Sequence, residues 1–228
     1  MVNNWKYYRT GKDTDIIMAE RKYVIFDVET TGLVKTDEVI QFSAIVLKEN
    51  FKTETAVNFY CNTQVPINAQ AFNVHHLDKA KLFKLSEGYS FEDSWLPFIE
   101  SLRGKQVIWI DWSLNGFDER LINQTLVNNG LEDYFHFPRY SQLSECYKDM
   151  ISEFHLMGAL SKKFNRAHMK LEAAVNMLPY SRAQLDYAYE KIAVLLPESE
   201  MDMKYHNALY DTFMTYMLFD YYFGVKNE

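Results

Sequence analysis

Cysteine is scarce: Cys61 and Cys146 are the only two in 228 residues, far apart and in no CxxC pair. This indicates neither a disulfide framework nor a zinc site and leads to the expectation of a reducing, cytoplasmic setting. Glycine and proline are few, at 8 and 5, which removes collagen-like and linker-like architectures. Basic residues are in deficit, with 24 lysine and arginine against 31 aspartate and glutamate and a formal charge of -7. That balance argues against a protein that grips a polyanion by lysine and arginine alone, unless bound cations supply positive charge. No run approaches the roughly 18 uncharged apolar residues of a membrane span, and MVNNWKYYRTGKDTDIIMAERK at the start has no apolar core of signal-peptide length. A soluble chain with no membrane partner is expected.

Apolar and aromatic residues are plentiful: 48 % of the chain is hydrophobic, with 16 tyrosines and 16 phenylalanines, enough to bury a full core. Residues 1–20 are polar and aperiodic and read as an N-terminal extension, with 21–228 as one domain. YVIF from Tyr23, VIQFSAIVL and TAVNFY read as three consecutive strands, an antiparallel meander. NAQAFNVHHL and FEDSWLPFIESL have helical spacing, and KQVIWI is a buried strand. GFDERLINQTLVNN, residues 116–129, aligns Phe117, Leu121, Ile122 and Leu126 on one helical stripe, with Gly130 as a stop. LSECYKDMI, HLMGALSKKF, HMKLEAAVNML and RAQLDYAYEKIAVLL read as helices, and LPES breaks the chain before a last helix at about 206–222. This order predicts an α/β layered domain with a mixed sheet.

Asp27 and Glu29 stand two apart at the exit of the first strand, so both side chains share one face. Like charges that close repel unless a cation lies between them, and oxygen-only donors suit Mg²⁺ or Mn²⁺. A DxE pair alone is common, but D-x-E-T-T-G after a strand arises by chance in roughly one chain in ten thousand at average residue usage. Asp118 opens the helix that follows KQVIWI, where the helix dipole alone favours an acid. His206 and Asp211 lie five apart at the start of the last helix, a spacing of moderate specificity.

DVETTGL (27–33), GFDERL (116–121) and HNALYD (206–211) resemble the three motifs of the DnaQ-like superfamily of 3'-to-5' exonucleases. DEVIQFSAIVL (37–47) and FNVHHL (72–77) resemble further segments, so the similarity covers about residues 22–222. The resemblance implies an RNase H-like fold: a mixed five-stranded sheet, antiparallel meander plus parallel strands, with helices on both faces. It implies that Asp27, Glu29, Asp118 and Asp211 hold two Mg²⁺ or Mn²⁺ ions and that His206 is the general base, the DEDDh pattern. Asp27 would bridge both ions, Glu29 and Asp211 would complete one, and Asp118 would hold the other.

The same resemblance implies that the backbone at Thr30 and Thr31 meets the terminal 3'-hydroxyl. Leu33 is either a wedge against the terminal base or ordinary core, and His75 either has a role near the sugar or the site entrance or is a polar helix-end residue. Lys162, Lys163, Arg166, His168 and Lys170 form a local basic cluster, either a strand-tracking surface or a solvated helix face. Ser113 and Leu114 stand where the family often has His-Asn, and the segment 179–203 is longer than usual and could shape substrate access. The expected substrate is a single-stranded DNA 3' end, with a DNA polymerase as one implied partner. An exoribonuclease or oligoribonuclease, or a noncatalytic binding module on the same fold, are the alternatives. Oligomeric state is not readable.

Overall fold

The first strand, β1 (Arg21–Thr30), alternates its side chains between two cores, and this alternation organises the whole domain. The computed structural model describes residues 20–113, 116–132, 134–135, 137, 151–164, 169–196 and 206–224. β1 pairs antiparallel with β2 (Val39–Leu47), which pairs antiparallel with β3 (Thr53–Tyr60). Three helices follow, α1 (Ala69–His75), α2 (Lys79–Ser86) and α3 (Phe91–Ser101). The chain then returns as β4 (Gln106–Asp111), parallel to β1, and passes through α4 (Phe117–Asn128) to β5 (Ile151–His155), parallel to β4. The sheet order is β3-β2-β1-β4-β5. The remaining helices are α5 (Leu156–Phe164), α6 (Leu171–Val175), α7 (Arg182–Ala193) and α8 (Ala208–Phe223).

Val24, Phe26 and Val28 of β1 join Phe42 of β2 and Trp109 of β4 against Phe91, Trp95 and Phe98 of α3 and Leu121, Ile122 and Leu126 of α4. Ile25, Ile45, Ile108 and Ile110 face the other way, onto Leu156 and Leu160 of α5, Leu185 and Tyr189 of α7, and Leu209, Phe213 and Met217 of α8. Both faces of the sheet are therefore covered, and every residue of β2 is buried. α8 is apolar almost all round, as a helix enclosed by the sheet and its neighbours must be. The expected α/β architecture, mixed sheet and helices on both faces are those observed.

One local expectation changes. LSECYKDMI was expected as helix, but its last residue, Ile151, opens β5; residues 143–150 lie outside the described residues. A run of polar and aromatic residues with a β-branched start cannot be told from a helix by period when one strand is this short. α2 carries no strong apolar stripe and buries only Leu82 and Ser86, so it gave no clear signal; Asp78 caps it by accepting from the Lys81 N–H at 2.7 Å. The long segment 179–203 contains α7, started by a reciprocal Ser181–Gln184 cap and packed on α8 through Leu185, Tyr189 and Ile192. Its residues 197–203, and the extension 1–19, lie outside the described residues. Among the described residues no helix is long and apolar enough to cross a membrane.

Candidate active site

Because Ile25 points into the core beneath α8, Asp27 and Glu29, two and four residues on, point to the same side. There they meet Asp211, in the first turn of α8: one donor atom from each of Asp27, Glu29 and Asp211 lies within 4.8 Å of the other two. Asp118, in the first turn of α4 and 7 % exposed, approaches the cluster from the far end of β4. Among the described residues no lysine or arginine forms an ion pair with any of the four. The Oδ1 atom of Asp211 is buried without a hydrogen-bond partner among the described residues.

Burial disfavours the charged forms of all four, and repulsion from neighbouring carboxylates adds to it at Asp27, Glu29 and Asp118. Asp27 is held well above the usual carboxylate range by burial and then by the charges of Asp118, Asp211, Glu29 and Asp111. Asp118 is raised by burial and by Asp111 and Asp211. Glu29 is pushed up to about 8 by burial and by Asp211 and Asp118. Asp211 is pushed up to about 7 by burial, partly offset by a hydrogen bond from the His206 backbone. Four carboxylates with no lysine or arginine paired to them among the described residues have the chemistry of a divalent-cation site.

His206 enters through its backbone: its N–H donates to Asp211 Oδ2 at 2.8 Å, and its φ of 67° turns the chain into α8. Its side chain is exposed. Asn207 caps α8 by accepting from the Leu209 N–H at 3.1 Å. Gln41, register partner of Glu29 and 0 % exposed, anchors this turn from β2. Its Nε2 donates to Asn58 Oδ1 at 2.9 Å and Asn207 Oδ1 at 3.3 Å, and its Oε1 accepts from the Ala208 N–H at 3.3 Å. Sequence reasoning missed Gln41. The available signal was an amide in the middle of the apolar strand VIQFSAIVL, which has to find buried partners.

The turn after Glu29 wraps Asp37. Thr31 Oγ1 donates to Asp37 Oδ1 at 2.8 Å, and the Val34 N–H donates to Oδ2 at 2.6 Å. A Cβ on Gly32 would sit 2.6 Å from that carboxylate, so only glycine fits. Thr31 is fully buried, its N–H given to the Glu38 carbonyl and its own carbonyl taken by the Asn68 N–H. Both backbone groups of Thr31 thus already serve to hold the turn. Thr30 is also turned inward, with Oγ1 donating to the Gly32 carbonyl at 2.7 Å.

His75 is buried, and its Nδ1 accepts from the Leu77 N–H at 3.0 Å. Its Nε2 therefore carries the proton and donates to the Thr30 carbonyl at 3.1 Å. Burial lowers its pKa. With both nitrogens taken, His75 holds Thr30 in the turn after Glu29. Leu33 is 62 % exposed, so its reading as core is overturned. Ser113, buried where histidine was expected, accepts from the Gly116 N–H at 2.9 Å and shapes the turn into α4; Leu114 and Asn115 lie outside the described residues. Of the basic cluster only Lys163 and Lys170 have described side chains, both exposed, and Lys163 Nζ stands 4.7 Å over the Tyr222 ring.

The RNase T exonuclease family pattern matches residues 24–219. The chain belongs to that family, within the DnaQ-like superfamily. It is 28 % identical over 143 residues to the PolC-type DNA polymerase III of Ureaplasma parvum, a match covering 62 % of this chain and 10 % of the polymerase. Among solved structures, the zinc-bound form of the E. coli exonuclease I complex with single-stranded DNA superposes with a TM-score of 0.60 at 14 % identity, covering 89 % of this chain and 41 % of that one. Exonuclease I of Methylocaldum szegediense gives a TM-score of 0.55 at 15 % identity, covering 90 % of this chain and 41 % of that one. These structures share the fold; the chain spans less than half the length of each relative named.

Proposed function

We propose that the chain is a 3'-to-5' exonuclease that shortens single-stranded DNA and releases nucleoside 5'-monophosphates. The observation that carries this reading is the convergence of Asp27, Glu29 and Asp211 within 4.8 Å, with Asp118 close enough to raise Asp27 and, among the described residues, no lysine or arginine paired with them. Oxygen-only donors fit Mg²⁺ or Mn²⁺, and a pair of ions would be held by Asp27 with Glu29 and Asp211 on one side and Asp118 on the other. Such ions would supply Lewis acidity, making water a stronger nucleophile and offsetting charge on the scissile phosphate. They would also answer the negative balance of the chain.

His206 is the proposed general base, since imidazole is the side chain most often used to take a proton from a nucleophile and the exposed ring is tied by its backbone to Asp211. Gln41 and Asn207 hold the turn that presents it. The Thr30–Leu33 turn, braced by His75 and Asp37, forms the wall against the terminal nucleotide, with Leu33 packed on its base. Stacking of that kind tolerates any sequence. The polymerase relative supports DNA as the substrate and a polymerase as a partner. The test is degradation of matched single-stranded DNA and RNA oligonucleotides, labelled at the 5' end, with Mg²⁺. Faster stepwise shortening of DNA from its 3' end is expected; faster loss of RNA would make the chain an exoribonuclease, and no degradation of either would return it to a binding module.

A further inference from the structure

A second cluster of donors lies at the carboxyl ends of the two parallel strands β4 and β5. Asp111 closes β4 and is the register partner of His155, which closes β5. Glu119 reaches the same point from the first turn of α4. One donor atom from each of Asp111, Glu119 and His155 lies within 4.8 Å of the other two. His155 Nδ1 is 2.9 Å from Asp111 Oδ1 and 3.8 Å from Glu119 Oε1. Asp111 is 0 % exposed, and its second oxygen, Oδ2, is buried without a hydrogen-bond partner among the described residues. Gly116 closes the cluster: a Cβ there would meet Glu119 Oε2 at 3.1 Å and His155 Cε1 at 3.2 Å.

We propose that Asp111, Glu119 and His155 form a separate site for one transition-metal ion of the Zn²⁺ type, distinct from the four-carboxylate cluster. An imidazole nitrogen with two carboxylates is a borderline donor set, unlike the oxygen-only set around Asp27. Metal–donor distances of about 2.0–2.2 Å put tetrahedral ligands roughly 3.3–3.5 Å apart, and the two measured separations bracket that value. The orphaned Oδ2 of Asp111 would have a partner in the same ion or in a water bound to it. The ion would also offset the Asp111 charge that bears on Asp118 and would pin the turn that delivers Asp118. It is therefore a positioning site, and its existence does not depend on the chain being a nuclease.

The test uses the full chain carrying Asp27→Asn and Asp211→Asn, which remove the other cluster. Zn²⁺ binding is measured by competition with a chromophoric chelator, and Co²⁺ binding by its visible absorption. One Zn²⁺ per chain is expected, with the intense bands of four-coordinate Co²⁺. Adding His155→Ala should weaken binding by about a hundredfold or more and abolish those bands. If that variant does not fold by circular dichroism, Glu119→Gln should show the same loss. No Zn²⁺ bound to the folded double variant, or affinity unchanged by the His155 or Glu119 substitution, overturns the proposal and leaves an ion-pair cluster. Neither readout involves nuclease activity, so failure here and failure of the exonuclease reading are separable.

Discussion

Stripping divalent ions from this protein should make its stability fall as pH rises. Glu29 is held at about 8 against an ordinary 4.5, and Asp211 at about 7 against 3.8, both chiefly by burial. Between those limits the folded chain keeps protons that the unfolded chain has released. A carboxylate raised in this way contributes its full stability below its unfolded value and loses it as pH climbs through its folded value. At about 1.4 kcal/mol per pH unit, Glu29 alone removes roughly 4 kcal/mol from the fold between about pH 5 and pH 8.5. Asp211 sits in the same field, so the two contributions are not summed. For a chain of this size that is a fall in Tm of roughly 8–16 °C.

Thermal unfolding in chelator, followed by circular dichroism across that pH range, would measure the fall. Glu29→Gln should flatten the curve, and Mg²⁺ or Mn²⁺ should raise the wild-type Tm more at the alkaline end than at the acid end. A Glu29→Gln protein with the same pH dependence as wild type, both metal-free, would refute the reasoning.

Three further outcomes follow from single contacts. His206→Ala should lower turnover by roughly a hundredfold with little change in Tm, because the ring is exposed and acts only as a base; a steady-state assay against pH checks this, and an unchanged profile removes His206 from the role. Gln41→Leu strands the buried Ala208 N–H, removes a donor from half-buried Asn207, and should cost about 1–3 kcal/mol in denaturant unfolding as well as lowering kcat. Leu33→Ala, at a residue 62 % exposed, should shift stability by no more than about 0.5 kcal/mol. It should raise KM for single-stranded DNA, as measured with oligonucleotides of varied terminal base.

The sheet and the acidic pair were readable because β1 states its own geometry: alternate residues Ile25, Asp27 and Glu29 share one face by a period of two. Asp211 and Asp118 were readable from motif spacing, since each sits in a first helical turn. What the linear chain conceals is contact made across the sheet. Gln41 meets Asn207 over a separation of 166 residues, and Asp111 meets His155 only because β4 and β5 lie side by side. His75 and Thr31 show a different limit. Their motif positions were clear, but whether a nitrogen or an amide faces a substrate or the protein depends on partners such as Leu77 and Glu38, which only the folded backbone supplies.

The most direct measurement is anomalous diffraction at the manganese edge from crystals grown with Mn²⁺ and a nucleoside 5'-monophosphate. Two strong peaks enclosed by Asp27, Glu29, Asp118 and Asp211 are the predicted result. An empty cluster in protein saturated with Mn²⁺, or manganese bound only elsewhere, would contradict the account.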